Sequence, residues 1–191
     1  MPIATRVDAG SVEERPALRS SLYAPISGEI VSSEALPFPE DPRWIVGEMA
    51  ARRGSVVPRR YVASAKSWLC HPGVDHHEPI LPWSGRAATT KEDLDEEDRE
   101  DAPMLSPVDA SARILAHVRG AWDSSHADAP LHEQEVVLTV PASFDEVARE
   151  LTLEAARASG FSPRLLEEPQ AAFYAWLRGF GDAGLAELLG E

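Results

Sequence analysis

From Ser106 onward the spacing of apolar residues switches between a helical and a strand period. That alternation restricts the fold more than any other feature of the chain. Ser106-Pro107-Val108-Asp109 offers an N-cap serine, a proline at the first helical position and an acid in the first turn. Val108, Ala112, Leu115, Val118 and Trp122 follow at helical spacing and predict an amphipathic helix. Glu135 to Val140 (EVVLTV) is a β-branched run stopped by Pro141, the pattern of a buried strand. Ser143-Phe144-Asp145-Glu146 has the form of a capping box, with Val147, Leu151, Ala155 and Ala158 as the stripe behind it and Gly160 as the stop. Phe161 to Leu166 predicts another strand, and Pro169 opens a helix in PQAAFYAWL. The order α-β-α-β-α points to an α/β fold, with strands in one sheet and helices packed on it.

The N-terminal third is less regular. Ser21 to Ile26 and Glu29 to Ser32 flank the turn pair Ser27-Gly28 and read as a hairpin. Trp44-Ile45-Val46 is a short apolar run closed by Gly47, and Glu48 to Arg53 reads as one or two helical turns. Tyr61 to Leu69 fits either period, and a short helix is preferred. Residues 86–103 hold eight acidic side chains between Glu92 and Asp101 with only Leu94 apolar among them. Such a segment buries too little to offset its ordering entropy, so it is expected to be a flexible acidic insertion at the surface.

Composition removes several classes of function. With 191 residues the chain makes one domain or one lobe of a larger fold. Eighteen Lys and Arg against 32 Asp and Glu give a net charge of −14, which argues against a nucleic-acid binder. Hydrophobic residues make up 43%, enough for a core. The single cysteine, Cys70, excludes an internal disulfide framework and a cysteine-based zinc finger. No apolar run approaches the ~18–20 residues of a membrane span, and Met1 to Gly10 has no cationic start followed by an apolar core. The expectation is a soluble, cytoplasmic, acidic protein.

GxxxxGK[ST], GxSxG and HExxH are all missing from the sequence. Cys70-His71 and Asp75-His76-His77 are potential metal ligands, but Pro72 and Gly73 separate them and adjacent His76 and His77 do not easily converge, so no metal site is expected. Lys66 and Lys91 are the only lysines, and Lys91 lies in the acidic stretch. Lys66, between Ala65 and Ser67, reads either as a point-charge clamp on a phosphate or as a surface lysine snorkelling past Trp68. Glu168, where a strand meets the helix opened by Pro169, reads either as a carboxylate that orients water or as an acid complementing the helix dipole. Pro141 either ends its strand or acts as a rigid pivot.

Taken together, VVLTVPASFDEVARELTLEAARASGFSPRLLEEPQAAFYAWL resembles the DnaK-like 70-kDa heat-shock chaperone family. It is similar to that family's "VPA-aromatic-F" strand end, long helix, Gly, strand and "NEPxAAA". SPVDASARILAHV resembles the helix entered by "SPEE", WIVGEMA the "VGxxA", ASAKSWL the "xxAKRLIG" and RSSLYAP the "TPSxV" strand. The resemblance covers about residues 20–177. It implies an actin-like ATPase (ribonuclease H-like) lobe with a mixed sheet, residues 1–191 forming an incomplete nucleotide-binding domain. In that family ATP and magnesium sit between two lobes, and hydrolysis drives the release of unfolded client peptides, with co-chaperones, through other domains. The resemblance assigns Lys66 to the γ-phosphate, Glu168 to water around metal and phosphate, Pro141 to a conformational switch and Arg149 to its relay.

The departures bear on activity. Val7-Asp8-Ala9-Gly10-Ser11 imitates the family's "DLGTT" loop only superficially, because no continuous apolar strand precedes it and Val12 to Pro16 does not read as a hairpin strand. Glu167 replaces the family Asn before Glu-Pro, and Gln170 replaces Thr. A "DLGGGT" loop is not in the chain. The chain alone is therefore expected to bind ATP or ADP weakly or not at all. The alternatives are an interaction module on an actin-like half-lobe and a fragment without independent function.

Overall fold

The computed structural model describes residues 1–30, 35–83 and 103–189. Most of the acidic stretch 86–103 lies outside the described residues. The elements are β1 (Ile3–Asp8), β2 (Ser11–Arg15), β3 (Ser21–Tyr23), β4 (Ile45–Val46), α1 (Glu48–Gly54), β5 (Tyr61–Ala63), α2 (Ala65–Trp68), α3 (Pro107–Ser125), β6 (Val137–Val140), α4 (Glu146–Ala158), β7 (Arg164–Glu167) and α5 (Glu168–Leu189). The chain is thus mixed α/β. Its described strands form three small sheets rather than one: β1-β2 antiparallel, β4-β3-β5 antiparallel, and β6-β7 parallel.

α3 is the wall between two cores. Ala110 and Ile114 face Leu22, Trp44, Val62 and Leu81. Ala112 and Leu115 face Leu69, Val140, Ala148, Leu151 and Ala155. This division explains why the predicted stripe is only part of the helix's contact. Leu115, Val118 and Trp122 are half-buried, while Ala110, His117 and Ala121 on another face are buried against the N-terminal side. Ser106 caps α3, its hydroxyl accepting from Asp109 N–H at 3.0 Å.

Several local expectations are corrected. Among the described residues no strand pairing spans Ser27-Gly28. β3 instead pairs with β4 and β5, and the Glu29 carboxylate folds back to accept from Ile26 N–H at 2.9 Å and the Tyr23 hydroxyl at 3.2 Å. Residues 31 and 32, the end of the expected return strand, lie outside the described residues. Tyr61 to Leu69 is a strand and a short helix joined at Ser64, whose φ of 55° turns the chain sharply. A hairpin does form at β1-β2, contrary to the expectation for Val12 to Pro16. Thr5, Arg6 and Val7 are buried on it, so a non-alternating polar strand is held by its partners rather than by hydropathy.

In the C-terminal half, α4 is capped by Asp145, not Ser143. The Asp145 carboxylate accepts from Ala148 N–H at 2.8 Å, while Phe144 is drawn into the core and its N–H donates to Pro141 O at 3.1 Å. The buried face of α4 is Ala148, Leu151, Thr152, Ala155 and Ala156, leaving Val147 and Ala158 exposed. β6 is less enclosed than EVVLTV suggested. Val140 is buried and Val137 exposed, because among the described strands β7 alone pairs with it. Gly160 ends the α4 segment at φ 88°, and a Cβ there would stand 2.2 Å from the Arg119 guanidinium.

Candidate functional site

Parallel pairing in the register Val140↔Glu167 puts the carboxyl ends of β6 and β7 side by side. In open α/β sheets the strands' carboxyl ends are where ligands are bound. Thr139, Val140 and Pro141 leave this edge on one strand, and Glu167 and Glu168 on the other.

Lys66 reaches the edge from α2. The left-handed Ser64 breaks β5 from α2, and Ala65, 1% exposed, anchors the short helix in the core. The Lys66 ammonium donates to the Thr139 carbonyl at 3.4 Å and pairs with the Glu168 carboxylate. Its side chain is 44% exposed and that of Glu168 48%, so the pair stands at the surface, within reach of a solute. Glu168 is the first residue of α5, where the helix dipole favours a carboxylate. The structure therefore brings Lys66 and Glu168 together, 102 residues apart in sequence.

Arg149 of α4 lies behind this pair. Its Nε donates to Phe144 O at 3.2 Å and its Nη2 to Glu167 Oε1 at 2.7 Å. Phe144 N–H bonds Pro141 O. A continuous bonded path thus runs from Pro141 through Phe144 and Arg149 to Glu167, the residue before Glu168. The Thr139 carbonyl and the Glu167–Arg149 bond were not anticipated from sequence. Both depend on which backbone and side-chain atoms meet once β6, β7 and α4 have assembled, and no local spacing encodes that.

Beside the edge lies an apolar hollow of about 270 Å³, lined by Leu69, Ile114, Leu115, Val118 and Leu138 with Lys66 at its margin. The hydroxyls of Ser111 and Thr152 on its wall are spent on Pro107 O and Ala148 O.

The other candidates are dispersed. The Asp8 carboxylate accepts from Ala9 N–H at 2.8 Å within its own turn, and β1 packs on α1, α3 and β4. Cys70 is exposed and donates to Ser67 O, His71 stacks on Trp68 with centroids 5.2 Å apart, and His77 meets Glu154 at 3.0 Å. Among the described residues no three His, Cys, Asp or Glu side chains converge as a metal site, and no helix is long and apolar enough to cross a membrane.

The site is thus a parallel strand pair with a Lys–Glu pair at its carboxyl edge, tied by Arg149 to the helix that follows β6. The family follows from comparison. The Hsp70 protein family model matches residues 33–178, and the chain belongs to the Hsp70 family. It is similar to the chaperone protein HscA homologs of Bordetella petrii, 30% identical over 181 residues, and Pseudomonas fluorescens, 33% identical over 184 residues. Each alignment covers 91% of this chain and 28% of the relative. The HscA homolog of Cupriavidus pinatubonensis is 45% identical over 76 residues, 39% of this chain and 12% of that protein. The chain thus spans little more than a quarter of the length of the first two relatives.

Proposed function

We propose that this chain forms part of the first lobe of an actin-like (ribonuclease H-like) ATPase domain of a cytoplasmic chaperone, and that the Lys66–Glu168 edge is its nucleotide-facing wall. The observation that carries the reading is the meeting of these two side chains beside Thr139 O at the carboxyl end of the parallel strands. The donor set suits magnesium nucleotide in one manner. An ammonium is a point-charge partner for a terminal phosphate. A lone carboxylate suits water held by a magnesium ion, which keeps several waters and takes few protein ligands. Bound Mg-ATP would supply the phosphoryl group and the charge to be neutralised. The chain's own part is to hold Lys66 against the phosphate and to orient water through Glu168.

Pro141 and Arg149 are assigned the switch and its relay in this reading. Their bonded path to Glu167 supports the assignment, since a shift at the β6 end would be felt at α4 and β7 together. Clients and co-chaperones would engage the longer protein of which a lobe like this is part.

Binding by this chain alone is expected to be weak. The Lys66 ammonium already has Glu168 and Thr139 O as partners, and a phosphate must compete with both. Titration of Mg-ATP into ¹⁵N-labelled protein is expected to shift the amides around Lys66, Thr139 and Glu168 with a dissociation constant of about a millimolar or weaker, and Lys66→Ala should abolish those shifts. Shifts centred elsewhere, or unchanged in Lys66→Ala, would overturn the site. A micromolar constant lost in Lys66→Ala would keep the site and overturn the weakness.

A further inference from the structure

The nucleotide reading gives roles to Lys66 and Glu168 but none to Glu167, whose side chain is bonded away from them. We infer that Glu167 is a positioning residue. Through Arg149 it locks the β7–α5 junction to the first turn of α4, and so holds the Glu168 carboxylate on the Lys66 ammonium. The inference rests on the reading of that pair as the site.

Three observations carry it. First, among the described residues the Glu168 side chain pairs with Lys66 alone, and it begins a helix that contacts mainly β7 and β6. Its direction is therefore set by the junction behind it. Second, Glu167 is the last residue of β7 and has a strong partner, Arg149 Nη2 at 2.7 Å. Third, the same guanidinium donates through Nε to Phe144 O, in the turn between Pro141 and α4. One planar, rigid cation thus joins the strand end that carries Glu168 to the turn that follows Thr139, the carbonyl to which Lys66 also bonds. A fork bonded at two points resists rotation in a way that a single contact does not. Glu167, Arg149 and Glu168 are half-exposed or exposed, so the lock adjusts geometry more than it adds stability.

The two-lysine composition makes the proposal directly readable. In a Lys91→Arg background, Lys66 is the only lysine left. Reductive methylation with ¹³C gives one lysine signal besides the amino terminus, and its position reports the carboxylate beside it. Glu168→Gln defines the signal of the released ammonium. Arg149→Gln and Glu167→Gln are each expected to move the Lys66 signal most of the way to that position. The double variant should move it no further than Arg149→Gln alone, because that change already removes the Glu167–Arg149 bond. Amide spectra retaining the wild-type pattern for α3 show that each variant has folded. A Lys66 signal left at its wild-type position in folded Arg149→Gln or Glu167→Gln, or an additive shift in the double variant, would overturn the positioning role. Glu167→Asp, which keeps the charge one methylene shorter, should restore part of the shift.

Addition of Mg-ATP separates this inference from the reading beneath it. If the variants move Lys66 but nucleotide does not, the lock stands and the nucleotide assignment fails. If nucleotide moves Lys66 and the variants do not, the reverse holds.

Discussion

The two sides of α3 are held by different forces. On the N-terminal side, Arg6, with a side chain only 4% exposed, pairs with Glu40. Arg60, 2% exposed, donates to Ala24 O at 3.3 Å, Arg113 pairs with Asp41, and His117 Nε2 bonds Ala4 O at 2.8 Å. On the C-terminal side the contact is mainly apolar, with Ser159 Oγ donating to Ala112 O at 2.7 Å and Arg119 Nη1 to Ser159 O at 2.8 Å. Ala148, Leu151 and Ala155 lie against Val108, Ala112 and Leu115, and the buried hydroxyls of Thr152 and Ser159 are satisfied by carbonyls one turn back. Apolar burial is non-directional and tolerant of pH, whereas buried polar groups hold only while every partner keeps its place and charge. The N-terminal side should therefore respond to solution conditions that leave the C-terminal side unchanged.

The largest test asks whether α3 couples the two sides. Leu22 is fully buried on one and Leu151 is 7% exposed on the other. Leu22→Ala and Leu151→Ala should each cost about 2–5 kcal/mol. With coupling, both lower the midpoint of one urea transition and leave its slope unchanged. Two transitions, one sensitive to each substitution, would show the sides to be independent and sharpen the contrast into a boundary.

The contrast also decides what could be read from sequence. α3, α4, β6 and β7 were legible because their apolar residues follow the helical and strand periods and their ends carry capping or stop residues. Errors there were small rotations: the cap moved from Ser143 to Asp145, and the stripe from Val147 to Ala148. The N-terminal side was not legible in this way. β1 buries Thr5 and Arg6, and β3 chose two distant partners over the near one, so long-range pairing replaced periodicity. At the site, Lys66 stood out by composition and Glu168 by its place before Pro169. Their meeting depends on the turn at Ser64 and the parallel register of β6 and β7, which local patterns do not specify.

A second test uses acid. Burial holds the His117 imidazole below its ordinary value of 6.5, outweighing the bond to Ala4 O and the nearby Glu40 charge, both of which favour the cation. Phe38 covers the ring edge with centroids 4.9 Å apart, and Arg113 lies one turn earlier on α3. The sign follows from linkage. Below pH 6.5 the unfolded chain takes up the proton before the folded one, so stability falls as the pH drops from 6.5 through the folded value, at up to about 1.4 kcal/mol per pH unit. Above 6.5 the contribution is constant. Asp41 falls in a lower window. Its carboxyl is held far below 3.8, by Arg43 first and Arg113 as well, so its contribution is present above 3.8 and lost only at stronger acid. His117→Gln, which keeps a donor for Ala4 O, should flatten the slope just below pH 6.5 and leave the lower window intact. Urea midpoints from about pH 2 to 7.5 measure both. An unchanged slope in His117→Gln would remove His117 as the acid-sensitive element of the N-terminal side.

The smallest expected effect falls at the seam between the two sides. Lys66 extends from the N-terminal side to Glu168 on the C-terminal side, and both side chains are close to half exposed. Water competes for an ion pair so placed, and holding two long side chains in one geometry costs entropy, which leaves between 0 and about 1 kcal/mol. Lys66→Met should therefore shift the urea midpoint hardly at all, and less still in high salt. A contact joining two halves of a fold has every opportunity to be a fastener, and a loss of several kcal/mol would make it one. A near-zero loss leaves a charged pair, oriented by β6, β7 and the Arg149 lock, that folding does not need. Such a pair at the carboxyl edge of parallel strands is free to exchange its internal partner for a phosphate oxygen or a metal-held water, which is what the nucleotide reading requires of it.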